Sequence, residues 1–213
     1  MKCVIGWDQD LSNQYEVCQS TISVDTLPTD NRILRHSGST AWTVSRFLVP
    51  HQMKYHGWHL FCDSDIYFTD DVRKLLHYVD PKYAVLVVKH EDYTPHSNMK
   101  MADKQQTAYH RKNWSSLILW NCSHEANRLL DPAFVADCNT LWLHQFGWLT
   151  DNQIGELPAE WNTLVGYQNY DNPKGIHYTD GVPTIDKYKQ CDYSELWLKR
   201  HELLLREGRI TVY

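Results

Sequence analysis

The run Tyr83-Ala84-Val85-Leu86-Val87-Val88 constrains this chain more than any other stretch. It is apolar throughout and reads as a strand buried on both faces. A strand covered on both sides needs a layer of structure above and below it. Residues 2 to 8 read as a second buried strand, ending in Gly6-Trp7-Asp8, and His59-Leu60-Phe61-Cys62 and Ser115-Ser116-Leu117-Ile118-Leu119-Trp120 read as two more. Helical patterns lie between them. Tyr15, Cys18 and Ile22 fall at helical spacing, and Thr69 is placed to cap a helix with Val72, Leu75, Leu76 and Val79 on one face. Strands alternating with helices predict an α/β sheet.

The remaining segments are shorter. Residues 25 to 31 hold Pro28 among turn-forming residues and predict a loop, with a further strand from Asn31 to His36. Val44, Phe47 and Leu48 predict a short helix that Pro50 ends. Residues 90 to 113 are polar and irregular, and a loop of that length is usually functional or mobile. Ser123 is expected to cap a short helix bearing Ala126, Leu129 and Leu130. A last amphipathic helix carries Tyr193, Leu196, Trp197, Leu203 and Leu204 on one side and ends at Gly208. The second half is richer in loops, Trp and Pro.

The 213 residues are enough for one domain with a sizeable core. A net charge of -5 gives no electrostatic footprint for nucleic acid. No apolar stretch approaches the length of a membrane span, and Met1-Lys2-Cys3-Val4-Ile5-Gly6 runs straight into a strand pattern, so no signal peptide is read. Cys3, Cys18, Cys62, Cys122, Cys138 and Cys191 show no Cys-x-x-Cys spacing, and several sit in apolar runs. A reduced, cytoplasmic setting is the simplest expectation (the host cytoplasm, were the chain viral). No His-x-x-x-His pair falls on a helical pattern, so most of the 12 histidines are assigned to surface or core. The closing Arg209-Ile210-Thr211-Val212-Tyr213 does not look like a natural terminus, which leaves room for a longer protein.

Chemistry concentrates at the end of one strand. Asp63-Ser64-Asp65 follows His59-Leu60-Phe61-Cys62, and the period of two puts both carboxylates on one side. Two carboxylates so close repel one another, and a hard divalent cation with its preference for oxygen holds them ionised. Asp8-Gln9-Asp10 has the same spacing; what lifts Asp63-Ser64-Asp65 is its context, an apolar strand before it and a helix-start signal after it. A loop-capping or solvated pair remains the plain alternative at Asp63 and Asp65.

Several segments in order carry a resemblance to a known family. They are Ile5-Gly6-Trp7-Asp8, Ser45-Arg46-Phe47-Leu48-Val49-Pro50, Phe61-Cys62-Asp63-Ser64-Asp65, and Arg111-Lys112-Asn113-Trp114-Ser115-Ser116 with Leu119-Trp120-Asn121. Leu157-Pro158-Ala159-Glu160-Trp161-Asn162 and Pro173-Lys174-Gly175-Ile176-His177-Tyr178-Thr179-Asp180-Gly181 complete the series. In this order they resemble small GT-A-fold glycosyltransferases related to glycosyltransferase family eight, of the kind found in bacteria and in viruses or phages. The resemblance spans nearly the whole chain. It implies a Rossmann-like single domain over residues 1–213, with a mixed, mainly parallel central sheet flanked by helices. The N-terminal half would bind the nucleotide sugar and the C-terminal half the acceptor.

The resemblance also implies a metal site of Asp63, Asp65 and His177, filled by manganese or magnesium and bridging the diphosphate of a nucleotide sugar. Manganese accepts one imidazole among oxygens more readily than magnesium does, so His177 favours manganese. UDP is the implied nucleotide and UDP-glucose the expected donor, with a glycan or other hydroxyl compound as acceptor. Gly6 and Asp8, at the end of the first strand, sit where an open α/β sheet takes its nucleotide; Asp8 caps the next helix in the other reading. Arg46 matches an arginine that reaches the donor, and Ser64 lies between the two aspartates. Lys174 and Gly181 flank His177 and are expected to meet the diphosphate. The chain departs from the family at Gly181-Val182-Pro183-Thr184, where relatives carry Gly-Gly-Pro-Trp, so no contact is assigned to Val182 or Thr184.

For the chemical step, Asp151 is the candidate base if the anomeric centre inverts, and a binder of sugar hydroxyls if configuration is retained; an N-cap is the structural alternative. Trp114 and Trp148 are candidate sugar platforms that also suit a core. Two rivals stand beside a glycosyltransferase. A haloacid-dehalogenase-type phosphatase needs the pair on its first strand and Thr or Val two residues beyond, where this chain has Tyr67. A metal-dependent carbohydrate-binding protein without turnover has no use for Asp8, Arg46, Lys174 and His177 together.

Overall fold

The computed structural model describes residues 1–31, 40–90, 109–211 and the backbone of 99–100 and 104–105. In chain order the strands are β1 (Cys3–Ile5), β2 (Thr26–Pro28), β3 (Trp58–Cys62), β4 (Ile66–Phe68), β5 (Val85–Val87), β6 (Met99–Lys100), β7 (Lys104–Gln105), β8 (Leu117–Asn121), β9 (Ile154–Glu156), β10 (Thr163–Leu164) and β11 (Gly175–His177). The α-helices are α1 (Ser12–Gln19), α2 (Val49–Gln52), α3 (Pro132–Asp137), α4 (Thr140–His144) and α5 (Ser194–Arg206), with several 3₁₀ turns between them.

The central sheet runs β2-β1-β3-β8-β5-β9. β8 is antiparallel to both β3 and β5, and the other three pairings are parallel. The sheet is mixed and mainly parallel, as expected. Its strands read apolar without interruption because alternate residues enter different cores. Val4, Phe61, Val85, Val87, Ile118 and Trp120 pack on one face against Phe47, Leu48, Val135 and Phe146. Cys3, Ile5, Leu60, Cys62, Leu86 and Leu119 pack on the other against Tyr15, Cys18, Val72 and Leu75. All six cysteines are free thiols.

A second sheet, β10-β11-β4, positions the site. β11 runs antiparallel to β4 with His177 opposite Ile66, and the Tyr178 N–H donates to the Asp65 carbonyl at 3.0 Å. Beneath it, α5 buries Trp197 and Leu204 against Ile176, Tyr178 and Val182.

Several local expectations change. Thr26–Pro28 is a strand rather than a loop, tolerated because β2 is an edge where a missing N–H costs no ladder bond. Pro50 starts α2 instead of ending a helix, since the first turn needs no proline N–H. The Val72–Tyr78 segment is a 3₁₀ helix capped by Asp71, whose side chain accepts from the Arg73 N–H; the Thr69 N–H instead donates to the Lys174 carbonyl at 3.0 Å. His124, not Ser123, caps Glu125–Leu129, and the Ser123 hydroxyl accepts from the Gly57 N–H. Leu203 is 44% exposed rather than buried with Leu204. Asn31 lies in a 3₁₀ turn, and the rest of the strand expected to His36 falls outside the described residues, as do 91–98, 101–103 and 106–108 of the expected loop. Within that loop, β6 pairs with β7. No helix among the described residues is long and apolar enough to cross a membrane.

Candidate functional site

Asp63 and Asp65 leave the C-terminal end of β3, and His177 closes β11. The register of β11 on β4 brings one oxygen of each carboxylate and one ring nitrogen within 4.8 Å of one another. Asp65 and His177 are buried, and Asp63 nearly so. This confirms the geometric part of the expectation: two carboxylates and an imidazole converge from opposite ends of the sequence.

The electrostatics of each ligand is set by neighbours that fix its orientation. Asp63 Oδ1 accepts from the Trp42 indole N–H at 2.8 Å and pairs with Arg46 Nη1 at 3.0 Å. Burial pushes the Asp63 carboxyl above its usual range, Arg46 pulls it back, and the like charge of Asp65 raises it again. Arg46 is itself buried, donates from Nη1 to the Ser115 carbonyl at 2.8 Å, and lies 5.1 Å from the Phe61 ring centre. It was expected to reach a donor substrate; in the structure it holds Asp63 in place.

His177 is oriented by a chain of hydrogen bonds. The Ser116 hydroxyl donates to the Asn113 carbonyl at 2.7 Å, so its oxygen receives Asn162 Nδ2 at 2.9 Å. Asn162 Oδ1 therefore faces His177 Nδ1, 3.0 Å away, and the ring proton sits on Nδ1. The bare Nε2 then looks at Asp65 Oδ1 across 3.3 Å. Two lone pairs opposed at that distance require a proton or a cation between them. On a cation with ligand bonds of about 2.1–2.3 Å, two ligands at right angles lie roughly 3.1 Å apart. The donor set therefore fits a divalent cation that tolerates nitrogen.

Gly6 admits Trp42. A Cβ on Gly6 would lie 2.6 Å from the indole, so glycine at this position makes room for the ring that holds Asp63. Asp8 serves as a local clamp: Oδ1 accepts from the Asp10 N–H at 3.1 Å and Oδ2 from the Ala41 N–H at 3.0 Å. The helix-capping reading of Asp8 is thus realised. It also borders a cleft of about 690 Å³ with Trp7, Leu27, Pro28, Asn31 and Ala41, beyond the C-terminal ends of β1 and β2. Ser64 is fully buried between the aspartates, and its hydroxyl has no partner among the described residues.

Other expected residues are not gathered into the cluster. Lys174 precedes β11 and pairs with Glu160 at 3.0 Å; it stands three positions before His177, about 10 Å along the strand. Gly181 has a φ of 153°, and a Cβ there would meet the Tyr188 ring at 2.4 Å, so glycine is required by packing. Asp151 follows Thr150, which is the N-cap of its turn, and pairs with Arg111 while its side chain remains 90% exposed. The Gln153 carbonyl accepts from the Ala84 N–H, so Asp151 enters β9 from the edge where β5 starts, opposite the edge where β3 ends. Arg111 is its link to the site region, two residues before Asn113. Trp148 packs among Phe47, Trp120, Trp142 and Phe146 and donates to Asn127, so its surroundings are those of a core residue. Trp114 is half-buried beside Arg111 and Lys89, with its N–H on the His90 carbonyl.

Trp42 and Asn162 belong to the site through their bonds to Asp63 and His177, and no residue pattern singled them out. Asn162 lay within the Leu157–Asn162 segment quoted above, but no spacing rule ties an asparagine to a histidine fifteen residues on. Trp42 carried no sequence signal of its own.

No protein-family model matches the chain. Solved structures share its fold at low sequence identity. The bifunctional glycosyltransferase WbbM superimposes with a TM-score of 0.64 at 13% identity, covering 94% of this chain and 49% of WbbM. The Streptococcus pneumoniae glycosyltransferase GlyE gives 0.60 at 14%, covering 97% of this chain and 62% of GlyE. The galactosyltransferase LgtC, solved with donor and acceptor sugar analogues, gives 0.59 at 11%, covering all of this chain and 97% of LgtC. The chain thus spans about half of WbbM and somewhat more of GlyE, and the fold it shares with all three is GT-A. In sequence it is 37% identical over 227 aligned residues to Protein CDI of Arabidopsis thaliana, covering 96% of this chain and 87% of that protein. By that measure the chain belongs to the family of Arabidopsis Protein CDI.

Proposed function

We propose that this protein is a metal-dependent glycosyltransferase that moves a sugar from a nucleoside-diphosphate donor to a hydroxyl acceptor. The observation that carries the proposal is the opposition of His177 Nε2 and Asp65 Oδ1 at 3.3 Å beside Asp63, in a GT-A fold. Asp63, Asp65 and His177 hold the cation, manganese by preference and magnesium in its place. When bound, it neutralises charge building on the departing nucleoside diphosphate. Trp42 and Arg46 keep Asp63 aimed at it, and Asn162 keeps Nε2 of His177 free to bind. Both devices remove rotamer freedom before substrate arrives.

The cleft beside Trp7 and Asp8 takes the nucleoside, with UDP the proposed nucleotide and UDP-glucose the proposed donor. Gly6, Arg46, Ser64, Lys174 and Gly181 are proposed as donor-side residues of differing directness: Ser64 offers a hydroxyl, Gly6 and Arg46 act through Asp63. Lys174 and Gly181 shape the strand and loop around His177. Asp151 is the proposed base or sugar-hydroxyl ligand on the acceptor side, held by Arg111, and Trp114 the proposed acceptor platform. Six free thiols suit the reduced, cytoplasmic setting included in the proposal.

Thermal melts with nucleoside diphosphates, with and without Mn²⁺, test the donor half directly. Stabilisation by UDP that needs the metal, and that Asp65→Ala abolishes together with donor turnover, is the expected result. No metal-dependent stabilisation by any nucleoside diphosphate would sink the proposal. Stabilisation by free glycans alone would favour a non-catalytic carbohydrate-binding protein.

A further inference from the structure

Near the site lies a buried hydrogen-bond donor that no described residue uses. His90 lies three residues beyond β5 and is 5% exposed. Gln168 settles its tautomer. Gln168 Oε1 accepts from the Leu164 N–H at 3.3 Å, so the Gln168 amide nitrogen is the atom facing His90 Nδ1, 3.4 Å away. Nδ1 is then the acceptor, and the ring proton belongs on Nε2. That Nε2–H is buried and has no partner among the described residues.

Unused buried donors are rare in folded proteins and mark places where a ligand completes the bonding. Among the described residues the indole N–H groups of Trp120, Trp161 and Trp197 are also unused, each enclosed within an apolar cluster. So are Arg46 Nε, Arg111 Nε, Asn113 Nδ2 and the Ser64 hydroxyl, whose side chains lie at or near the carboxylates or the Asn113 turn. His90 differs by its position. Its tether Gln168 is anchored on Leu164, the residue that pairs with His177 across β10 and β11. Burial, with the nearby His177 adding to it, pushes His90 down to about 3, so the ring stays neutral.

Its place along the sheet edge indicates what it meets. The nucleoside cleft lies at the ends of β1 and β2, and Asp63 and Asp65 follow β3. β5 stands two strands further on in the order β3-β8-β5, about 10 Å past the carboxylates on the side away from the cleft. A nucleotide sugar has its diphosphate between nucleoside and sugar. Laid along this edge with the diphosphate at the carboxylates, it carries its sugar to His90.

We infer that His90 is a binding residue for the transferred sugar, its neutral Nε2–H donating to one hydroxyl of the hexose and thereby selecting among donors. This rests on the transferase reading above. A site built to bond one hydroxyl rejects the analogue lacking it strongly, because the site's own polar group is then left unpaired.

The experiment uses the intact protein with Mn²⁺, its best nucleotide sugar, and the 2-, 3-, 4- and 6-deoxy versions of that donor. kcat/KM and metal-dependent thermal stabilisation are measured for the parent protein, His90→Phe and His90→Gln. The parent protein should discriminate against one deoxy donor by about 100-fold or more. His90→Phe should lose a comparable factor on the full donor while handling that deoxy donor unchanged. His90→Gln, which keeps an N–H, should fall between. Stabilisation by the nucleoside diphosphate alone should be the same in all three proteins, which shows that they fold and hold the metal. Equal losses of His90→Phe on every donor, or none, would overturn the assignment of His90 and leave the transferase reading standing. Absence of both turnover and nucleotide-sugar stabilisation in the parent protein would overturn both.

Discussion

Replacing Asn162 with leucine tests the idea that a single amide readies the metal site. Asn162 is fully buried and carries three bonds, one from His177 Nδ1 at 3.0 Å, one to the Ser116 hydroxyl at 2.9 Å and a longer one to the Asn113 carbonyl at 3.5 Å. Leucine keeps the branched shape and leaves no cavity, although its methyl groups are bulkier than the amide atoms and add an overpacking cost of about 1–3 kcal/mol. The loss falls on the His177 Nδ1–H, which is left buried without an acceptor, at about 1–3 kcal/mol. In a chain of this size that lowers Tm by about 2–4 °C per kcal/mol. The ring also loses its reason to keep the proton on Nδ1. With the proton on Nε2 it donates to Asp65 and no longer presents a lone pair to a cation. Removing an outer partner of a metal ligand typically costs about 10–100-fold in affinity, or about 1.4–2.7 kcal/mol. Mn²⁺ titration by calorimetry, on protein whose folding is checked by a cooperative melt, measures it. Asn162→Asp keeps an acceptor toward Nδ1 and should bind Mn²⁺ at least as tightly as the parent. Affinity for Asn162→Leu within threefold of the parent would refute the reasoning, as would an Asn162→Asp protein that loses as much as Asn162→Leu.

Three further outcomes are expected. Gly6→Ala drives a methyl against the Trp42 ring, 2.6 Å from it, and should cost about 1–3 kcal/mol while weakening Mn²⁺ binding through Asp63; a melt and a metal titration unchanged from the parent would count against the Trp42–Asp63 link. Asp151→Asn should leave Tm within about 2 °C, because the Asp151 carboxylate is 90% exposed and Arg111 keeps its bond to the Gln145 carbonyl, yet lower kcat by about 100-fold or more if Asp151 is the base; full turnover in this variant removes Asp151 from the chemistry. The stability gap between parent and His90→Asn proteins should change with pH. His90 is pushed down to about 3 when folded and has an ordinary value near 6.5 when unfolded, so between the two the unfolded chain binds the extra proton. Stability from this residue is present above about pH 6.5 and falls by about 1.4 kcal/mol per unit as the pH drops toward 3. Chemical denaturation of both proteins from pH 7 to pH 4 reads the slope, and a gap that stays constant would show that His90 is not buried neutral.

Local patterns carried far in this chain. β1, β3, β5 and β8 were legible because each is an uninterrupted apolar run, and the alternate packing of Val85 and Val87 against one core and Leu86 against the other explains that pattern. The ends of elements were less legible. Asp71 and His124 cap where Thr69 and Ser123 were expected, since several neighbouring residues can accept from the same N–H and geometry chooses among them. Pro28 and Pro50 were read as breakers, although one sits on an edge strand and the other in a first helical turn, where the missing N–H does no harm.

The sequence alone determined the apolar strand that leads into Asp63 and Asp65 and the like-charge repulsion between them, because both are properties of neighbouring residues. The pair itself lies in the turn between β3 and β4, so the turn and not the period of a strand sets the directions of the two carboxylates. Through resemblance the sequence also nominated His177. Only the tertiary structure decided that His177 meets them, since that depends on the antiparallel register of β11 on β4. It also decided what each candidate is for. Arg46 and Trp42 converge on one oxygen of Asp63, Lys174 is drawn to Glu160, and Asn162 turns the bare nitrogen of His177 toward Asp65. A hydrogen bond between residues far apart in sequence depends on where the folded backbone places both partners, and no local pattern encodes that placement.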